Sequence, residues 1–186
     1  MKADLLFLIG YRGTGKTTVG KILAPRMGWD FIDADHLLEE RAGKTIREIF
    51  AAEGEKSFRD QESALIQELS QKREHIIATG GGVVLHETNR EYLKTGFVVW
   101  LMAPASLLWE RMQADQTTAA RRPNLSVGGL EEVQTLLTIR EPIYESLADY
   151  RISTEGESPE SLANAILAAW RQCQSLPTDS RKSSSS

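Results

Sequence analysis

Eight consecutive residues, Gly10-Tyr11-Arg12-Gly13-Thr14-Gly15-Lys16-Thr17, constrain this chain more than any other stretch. They fit the pattern G-x-x-x-x-G-K-[ST], directly after the apolar run Leu5–Ile9 and at the start of a segment with helical spacing. The glycines let backbone N–H groups turn inward around phosphate oxygens. The helix N-terminus adds partial positive charge, Lys16 reaches the outer phosphates and Thr17 offers a hydroxyl to Mg²⁺. Such a loop needs a buried strand behind it and a helix in front, so the motif already dictates an α/β arrangement. A second Gly43-Lys44-Thr45 is rejected as a phosphate loop, because position 38 is Leu and the preceding residues read as helix.

Further along, short apolar or β-rich runs bounded by turn residues occur at Asp30–Asp33, His75–Thr79, Phe97–Met102 and Tyr150–Thr154, which with Leu5–Ile9 makes five candidate strands. Helical spacing occupies Lys16–Ala24, His36–Phe50, Lys56–Gln71, Glu87–Leu93, Ser106–Gln113, Leu130–Leu147 and Pro159–Cys173. Strands alternating with helices predict a parallel sheet covered on both faces, a three-layer α/β/α fold. Pro25 predicts an end or kink of the first helix near Leu23. Ser158 is read as the N-cap of the last helix, with Pro159 in its first turn and Glu160 at the positive dipole end. The polar stretch Gln113–Gly129, with Arg121, Arg122 and Pro123, has the composition of a loop that covers a site. Residues 1–175 are read as one domain, and the Ser-rich residues 176–186 as a disordered tail.

Composition narrows the partners. Lys plus Arg number 22 against 26 Asp plus Glu, a formal charge of -4, whereas a duplex-binding surface needs a basic excess or stripe. Attraction for a polyanion such as ATP must then come from focused groups rather than the global field. Cys173 is the single cysteine, and His36, His75 and His86 lack ligand spacing, so no Cys- or His-based metal site is expected. The run Phe97–Ala105 falls short of a membrane span, and a cytoplasmic location without nucleic-acid or membrane partners is expected.

On the acceptor side, Asp33 and Asp35 fall at the C-terminal end of the second strand, the edge where ligands bind an open α/β sheet. One carboxylate is placed to hold Mg²⁺ and the other to take a proton from an attacking hydroxyl, while a helix N-cap role stands open for either. Gly80, Gly81 and Gly82 follow the third strand and permit a ligand to touch bare backbone, while a tight strand-to-helix turn stands open as the other role.

Ile46-Arg47-Glu48-Ile49-Phe50, Gly54-Glu55 and Phe58-Arg59-x-x-Glu62 stand together with Asp33-x-Asp35, Gly80-Gly81-Gly82 and Arg122-Pro123. In combination they closely resemble the shikimate kinases, from about Leu5 to about Leu167. The resemblance implies a P-loop kinase of the nucleoside monophosphate kinase type, with a five-stranded parallel sheet in the order 2-3-1-4-5 and a lid at about 113–125. It implies transfer of the ATP γ-phosphoryl to the 3-hydroxyl of shikimate, with Mg²⁺ as cofactor. A monomer is expected, although no residue pattern encodes the oligomeric state.

By the same resemblance, Asp35 takes the shikimate hydroxyl and the base role, and Asp33 joins Thr17 near the metal. Arg59 and Arg140 hold the substrate carboxylate, for which a guanidinium fork is better suited than a lysine point charge, and Gly80, Gly81 and Gly82 line the ring. The phosphates fall to Gly13, Thr14, Gly15, Lys16, Thr17 and Thr18. Arg122, with Arg121 as its rival, is the lid arginine that steadies the transferring phosphoryl. Arg111 and Pro159 flank the adenine, where Glu155-Gly156-Glu157-Ser158 departs from relatives that place arginines there. Two other readings, a gluconate or nucleoside monophosphate kinase and a nucleotide-switched binding module, lack support from the Phe58–Glu62 segment or a guanine-reading Asn-Lys-x-Asp.

Overall fold

Strand β1, Leu5–Ile9, keeps at most 4% of the surface of any of its side chains. A five-residue run buried on both faces needs neighbours on both edges and layers on both sides, and β1 has them. The computed structural model describes residues 4–114 and 129–175. Within it, β2 (Asp30–Asp33), β3 (His75–Ala78), β4 (Phe97–Met102) and β5 (Tyr150–Ser153) join β1 in one sheet ordered β2-β3-β1-β4-β5. Every pairing is parallel, with Phe7 opposite Ile77 on one side and Val98 on the other. This is the order that the family resemblance implies.

Alternation along β1 separates two cores. Leu5, Phe7 and Ile9 face α2 (Ala34–Ala42), α3 (Ile46–Leu69) and α6 (Gly129–Leu147), packing with Leu38, Ile49, Phe58 and Tyr144. Leu6 and Leu8 face α1 (Lys16–Met27) and α7 (Pro159–Ser175), packing with Val19, Leu23 and Ile166. Each such fully buried side chain stabilises the fold by about 1.5–3 kcal/mol relative to exposure. A smaller cluster of Tyr11, Ala103, Leu108, Val133 and Leu137 joins the phosphate loop to α5 (Ala105–Ala114) and α6. Among the described residues one further α-helix, α4, covers Glu87–Leu93.

Three sequence expectations need correction. Helix α1 does not stop near Leu23 but runs to Met27 with Pro25 inside it. The proline forgoes only its own N–H bond to the carbonyl of Lys21 one turn back, and the helix continues for two more residues until Gly28 at φ 69° closes the end onto the carbonyls of Ala24 and Pro25. The expected helix His36–Phe50 is instead divided, with Gly43 capping α2 at φ 62° and Thr45 opening α3. Thr45 and Glu48 form a reciprocal capping box, Thr45 N–H donating to Glu48 at 2.7 Å and Glu48 N–H to the Thr45 hydroxyl at 3.2 Å. The rejected Gly43-Lys44-Thr45 is thus a helix-to-helix joint. Beyond Phe50 the helix runs on until Gly54 (φ 83°, ψ 171°) leaves the helical region, so α3 consists of two helical pieces meeting at Gly54, and the expected break between Phe50 and Lys56 is present. Strands β3 and β5 each end one residue early, at Ala78 and Ser153. The expected lid, Arg121, Arg122 and Pro123, and the tail 176–186 lie outside the described residues.

Candidate active site

Between β1 and α1 the backbone takes positive φ at Gly10 (137°), Gly13 (83°) and Gly15 (85°), and the chain curls into a cradle. Gly15 precedes α1 and carries no side chain to cap it, and the first N–H groups of a helix point toward the space where a phosphate binds in loops of this kind. Lys16 is the first helical residue, and its Nζ donates to the carbonyls of Gly10 and Tyr11 at 2.8 Å each. Its ammonium therefore spans the open side of the loop. Thr14 stiffens the same turn through its hydroxyl, which donates to the Tyr11 carbonyl at 2.8 Å.

The cradle opens into a cavity of about 650 Å³. Gly13, Thr14, Gly15, Lys16, Thr17 and Thr18 line one end, and Asp33 and Asp35 stand across from them. Arg111 and Pro159 line the cavity too, together with Thr154 and Glu157. Arg111 donates to the carbonyl of Gly13 at 3.2 Å and to the Thr154 hydroxyl and carbonyl at 2.9 and 3.1 Å, tying the phosphate loop to the β5–α7 connection. Ser158 caps α7 by accepting from the N–H of Ser161 at 3.1 Å, with Pro159 as the first helical residue.

Asp33 does two jobs. One carboxylate oxygen caps α2, accepting from the N–H groups of Asp35 and His36 at 3.1 and 3.3 Å. The other accepts from the Thr17 hydroxyl at 2.6 Å. Capping fixes the carboxylate, and a fixed carboxylate beside a hydroxyl is an all-oxygen donor pair of the kind a hard divalent cation prefers. Among the described residues no group of three or more His, Cys, Asp or Glu could hold a metal ion by itself. A magnesium here would take its other ligands from phosphates and water, its usual habit in nucleotide sites.

Next to this cavity lies a smaller one of about 50 Å³, and Arg12, Ile46 and Gly81 line both. Arg59 and Arg140 converge on it from α3 and α6. Arg59 donates to Glu62 at 2.7 Å, with the side chains 14% and 6% exposed, and pairs with Glu55 at 3.5 Å. The i,i+3 spacing of Arg59 and Glu62 on α3 makes that contact geometric rather than accidental. Gly82 faces the guanidinium so closely that a Cβ there would lie 2.7 Å from Arg59 Nη1. Gly81 is held from the other side, its carbonyl accepting from the Tyr144 hydroxyl. Gly80 lines neither cavity; its carbonyl accepts from Val83 N–H at 3.3 Å and starts the 3-10 turn Val83–Leu85.

The structure therefore brings Lys16, Thr17, Asp33 and Asp35 to one cavity and Arg59, Arg140, Gly81 and Gly82 to its neighbour. Sequence reasoning attached no role to Tyr11, Arg12 or Glu62. The first two occupy free positions of the loop pattern, where an aromatic and a cation side by side were the available signal. For Glu62 the signal was its distance of three residues from Arg59.

A parallel sheet with this loop after its central strand, and a second pocket at the phosphate end, defines a P-loop kinase that acts on a small molecule. A family model described as shikimate kinase matches residues 12–171. The shikimate kinase of Rhodopirellula baltica is 42% identical over 171 residues, 91% of each chain, and that of Thermodesulfovibrio yellowstonii 43% over 169 residues, 90% of this chain and 95% of that one. Among solved structures, shikimate kinase from Acinetobacter baumannii in complex with shikimate is 36% identical and superposes with a TM-score of 0.86, covering 94% of this chain and 96% of that one. The chain belongs to the shikimate kinase family.

Proposed function

We propose that this chain transfers the γ-phosphoryl of ATP to the 3-hydroxyl of shikimate, giving shikimate 3-phosphate and ADP on the route to chorismate and the aromatic amino acids. One observation carries the reading: the nucleotide cavity and the pocket of Arg59 and Arg140 share Arg12, Ile46 and Gly81 as a common wall. A γ-phosphoryl in the first is then within reach of a hydroxyl on a compound anchored in the second.

Shikimate carries one carboxylate and three hydroxyls on a compact ring. Arg59 and Arg140 receive the carboxylate, each offering paired N–H donors that match its two oxygens. Gly81 and Gly82 let the ring lie against backbone. At the far end the 3-hydroxyl meets Asp35, whose carboxylate takes its proton as the oxygen attacks the γ-phosphorus. The bond from that phosphorus to the β,γ-bridging oxygen breaks, and its electrons leave with ADP. Lys16 spans the β- and γ-phosphates, and Arg122 has the lid role that the family resemblance gives it. Thr17 and Asp33 would hold magnesium, which supplies neutralisation of the phosphate charge. Positioning and charge neutralisation of this sort account for most of the catalysis in phosphoryl transfer.

The proposal includes a cytoplasmic monomer with ATP and shikimate as its small-molecule partners; among the described residues no helix is long and apolar enough to cross a membrane. An ADP-release assay with shikimate, gluconate and nucleoside monophosphates tests it. Turnover confined to shikimate is expected. Comparable turnover of gluconate or a nucleotide would overturn the substrate assignment.

A further inference from the structure

The two arginines of the small pocket are held in different ways. Arg59 rests on a carboxylate, that of Glu62, at 2.7 Å. Arg140 is 7% exposed, its Nε is buried without a hydrogen-bond partner, and its guanidinium carbon lies 5.3 Å from the centre of the Tyr11 ring. Tyr11 is itself 6% exposed and wedged among Ala103, Leu108, Val133 and Leu137. Its backbone belongs to the phosphate loop, where its carbonyl accepts from Lys16 and Thr14 at 2.8 Å each.

A ring face and a carboxylate do different things to a guanidinium. A carboxylate orients it but occupies N–H donors and cancels charge before the substrate arrives. The face of an aromatic ring orients it through the ring quadrupole while leaving every N–H donor in the guanidinium plane available. We propose that Tyr11 is a positioning residue for substrate binding, its ring face holding Arg140 in line with an incoming carboxylate while the donors stay open. The inference rests on the reading of Arg140 as a carboxylate anchor. Burial raises the Tyr11 phenol above its ordinary value of 10.0, against the lowering influence of Arg140 and Arg12, so at neutral pH the contact is with a neutral ring. The hydroxyl is then dispensable and the ring is not.

The test is steady-state kinetics on Tyr11→Phe and Tyr11→Leu, each alone and combined with Arg140→Ala. Tyr11→Phe should leave the KM for shikimate within about twofold, since the ring is kept. Tyr11→Leu should raise it about tenfold, with the KM for ATP within about twofold. On the Arg140→Ala background the leucine substitution should add nothing. An unchanged shikimate KM in Tyr11→Leu, an equal rise in both KM values, or the same rise without Arg140 would overturn the inference alone. If Arg140→Ala by itself leaves the shikimate KM unchanged, the carboxylate reading falls and the inference with it. Tyr11→Met, apolar and without a ring, carries the same comparison if the leucine variant folds poorly.

Discussion

Gly82→Ala isolates a single contact in the proposed carboxylate site. Gly82 has φ -96° and ψ -4°, a conformation open to alanine, so the backbone is not strained by the change. What changes is space: the new Cβ would lie 2.7, 2.8 and 3.1 Å from Nη1, Nη2 and Cζ of Arg59. Ordinary contact begins near 3.4 Å, so the guanidinium must retreat by roughly 0.7 Å. A free side chain would do this at small cost, but Arg59 is pinned by Glu62 at 2.7 Å and largely enclosed. It must therefore give up part of that hydrogen bond or its aim at the substrate. A misplacement approaching 1 Å costs up to about 100-fold in rate, so kcat/KM for shikimate should fall about 10- to 100-fold, or roughly 1.4–2.7 kcal/mol. Stability should fall by only about 1–3 kcal/mol, as for ordinary overpacking. An ADP-release assay with each substrate varied in turn, paired with a thermal melt, separates the effects: the loss belongs to shikimate, and the KM for ATP stays put. A folded Gly82→Ala enzyme with wild-type kcat/KM for shikimate would refute the placement of Arg59 against the substrate.

Other outcomes follow from the same geometry. Lys16→Met and Asp35→Asn should each lower kcat by at least about 100-fold while the melting temperature stays close to wild type, because a single positioned charge or base is lost; near-normal turnover by a folded Asp35→Asn protein rejects the base role. Arg59→Ala should raise the KM for shikimate and leave ATP affinity in place, and titration of nucleotide and shikimate separately checks this. Away from the site, Gly20→Ala drives a Cβ to 2.3 Å from the Phe31 ring, so a denaturant melt should show a loss of about 1–3 kcal/mol, and an unchanged midpoint would mean that α1 and β2 are not packed as described.

Much of this was legible from residues because the physics involved is local. The phosphate loop, the strand behind it and the helix after it announce themselves through glycines and a five-residue apolar run, and the structure adds geometry rather than identity there. Errors gathered where two local signals competed. At Pro25 the rule that proline breaks helices met a helix that forgoes a single N–H bond there and continues, and Gly28 set the real end. At Gly43–Thr45 a helical apolar pattern ran across a glycine C-cap and a Thr–Glu capping box that the periodicity concealed.

The residues alone determined the fold class and the phosphate loop, and the family resemblance implied the acceptor and the arginines proposed to receive it. The residues did so because backbone permissiveness, apolar alternation and short-range spacing are properties of neighbours in the chain. Only the tertiary structure decided that Asp33 meets Thr17, that Arg59 leans on Glu62 under a glycine with no room for a methyl group, and that Arg140 lies over Tyr11. Arg140 and Tyr11 are 129 residues apart in sequence, and no pattern along the chain encodes which faces meet when α6 packs against the phosphate loop.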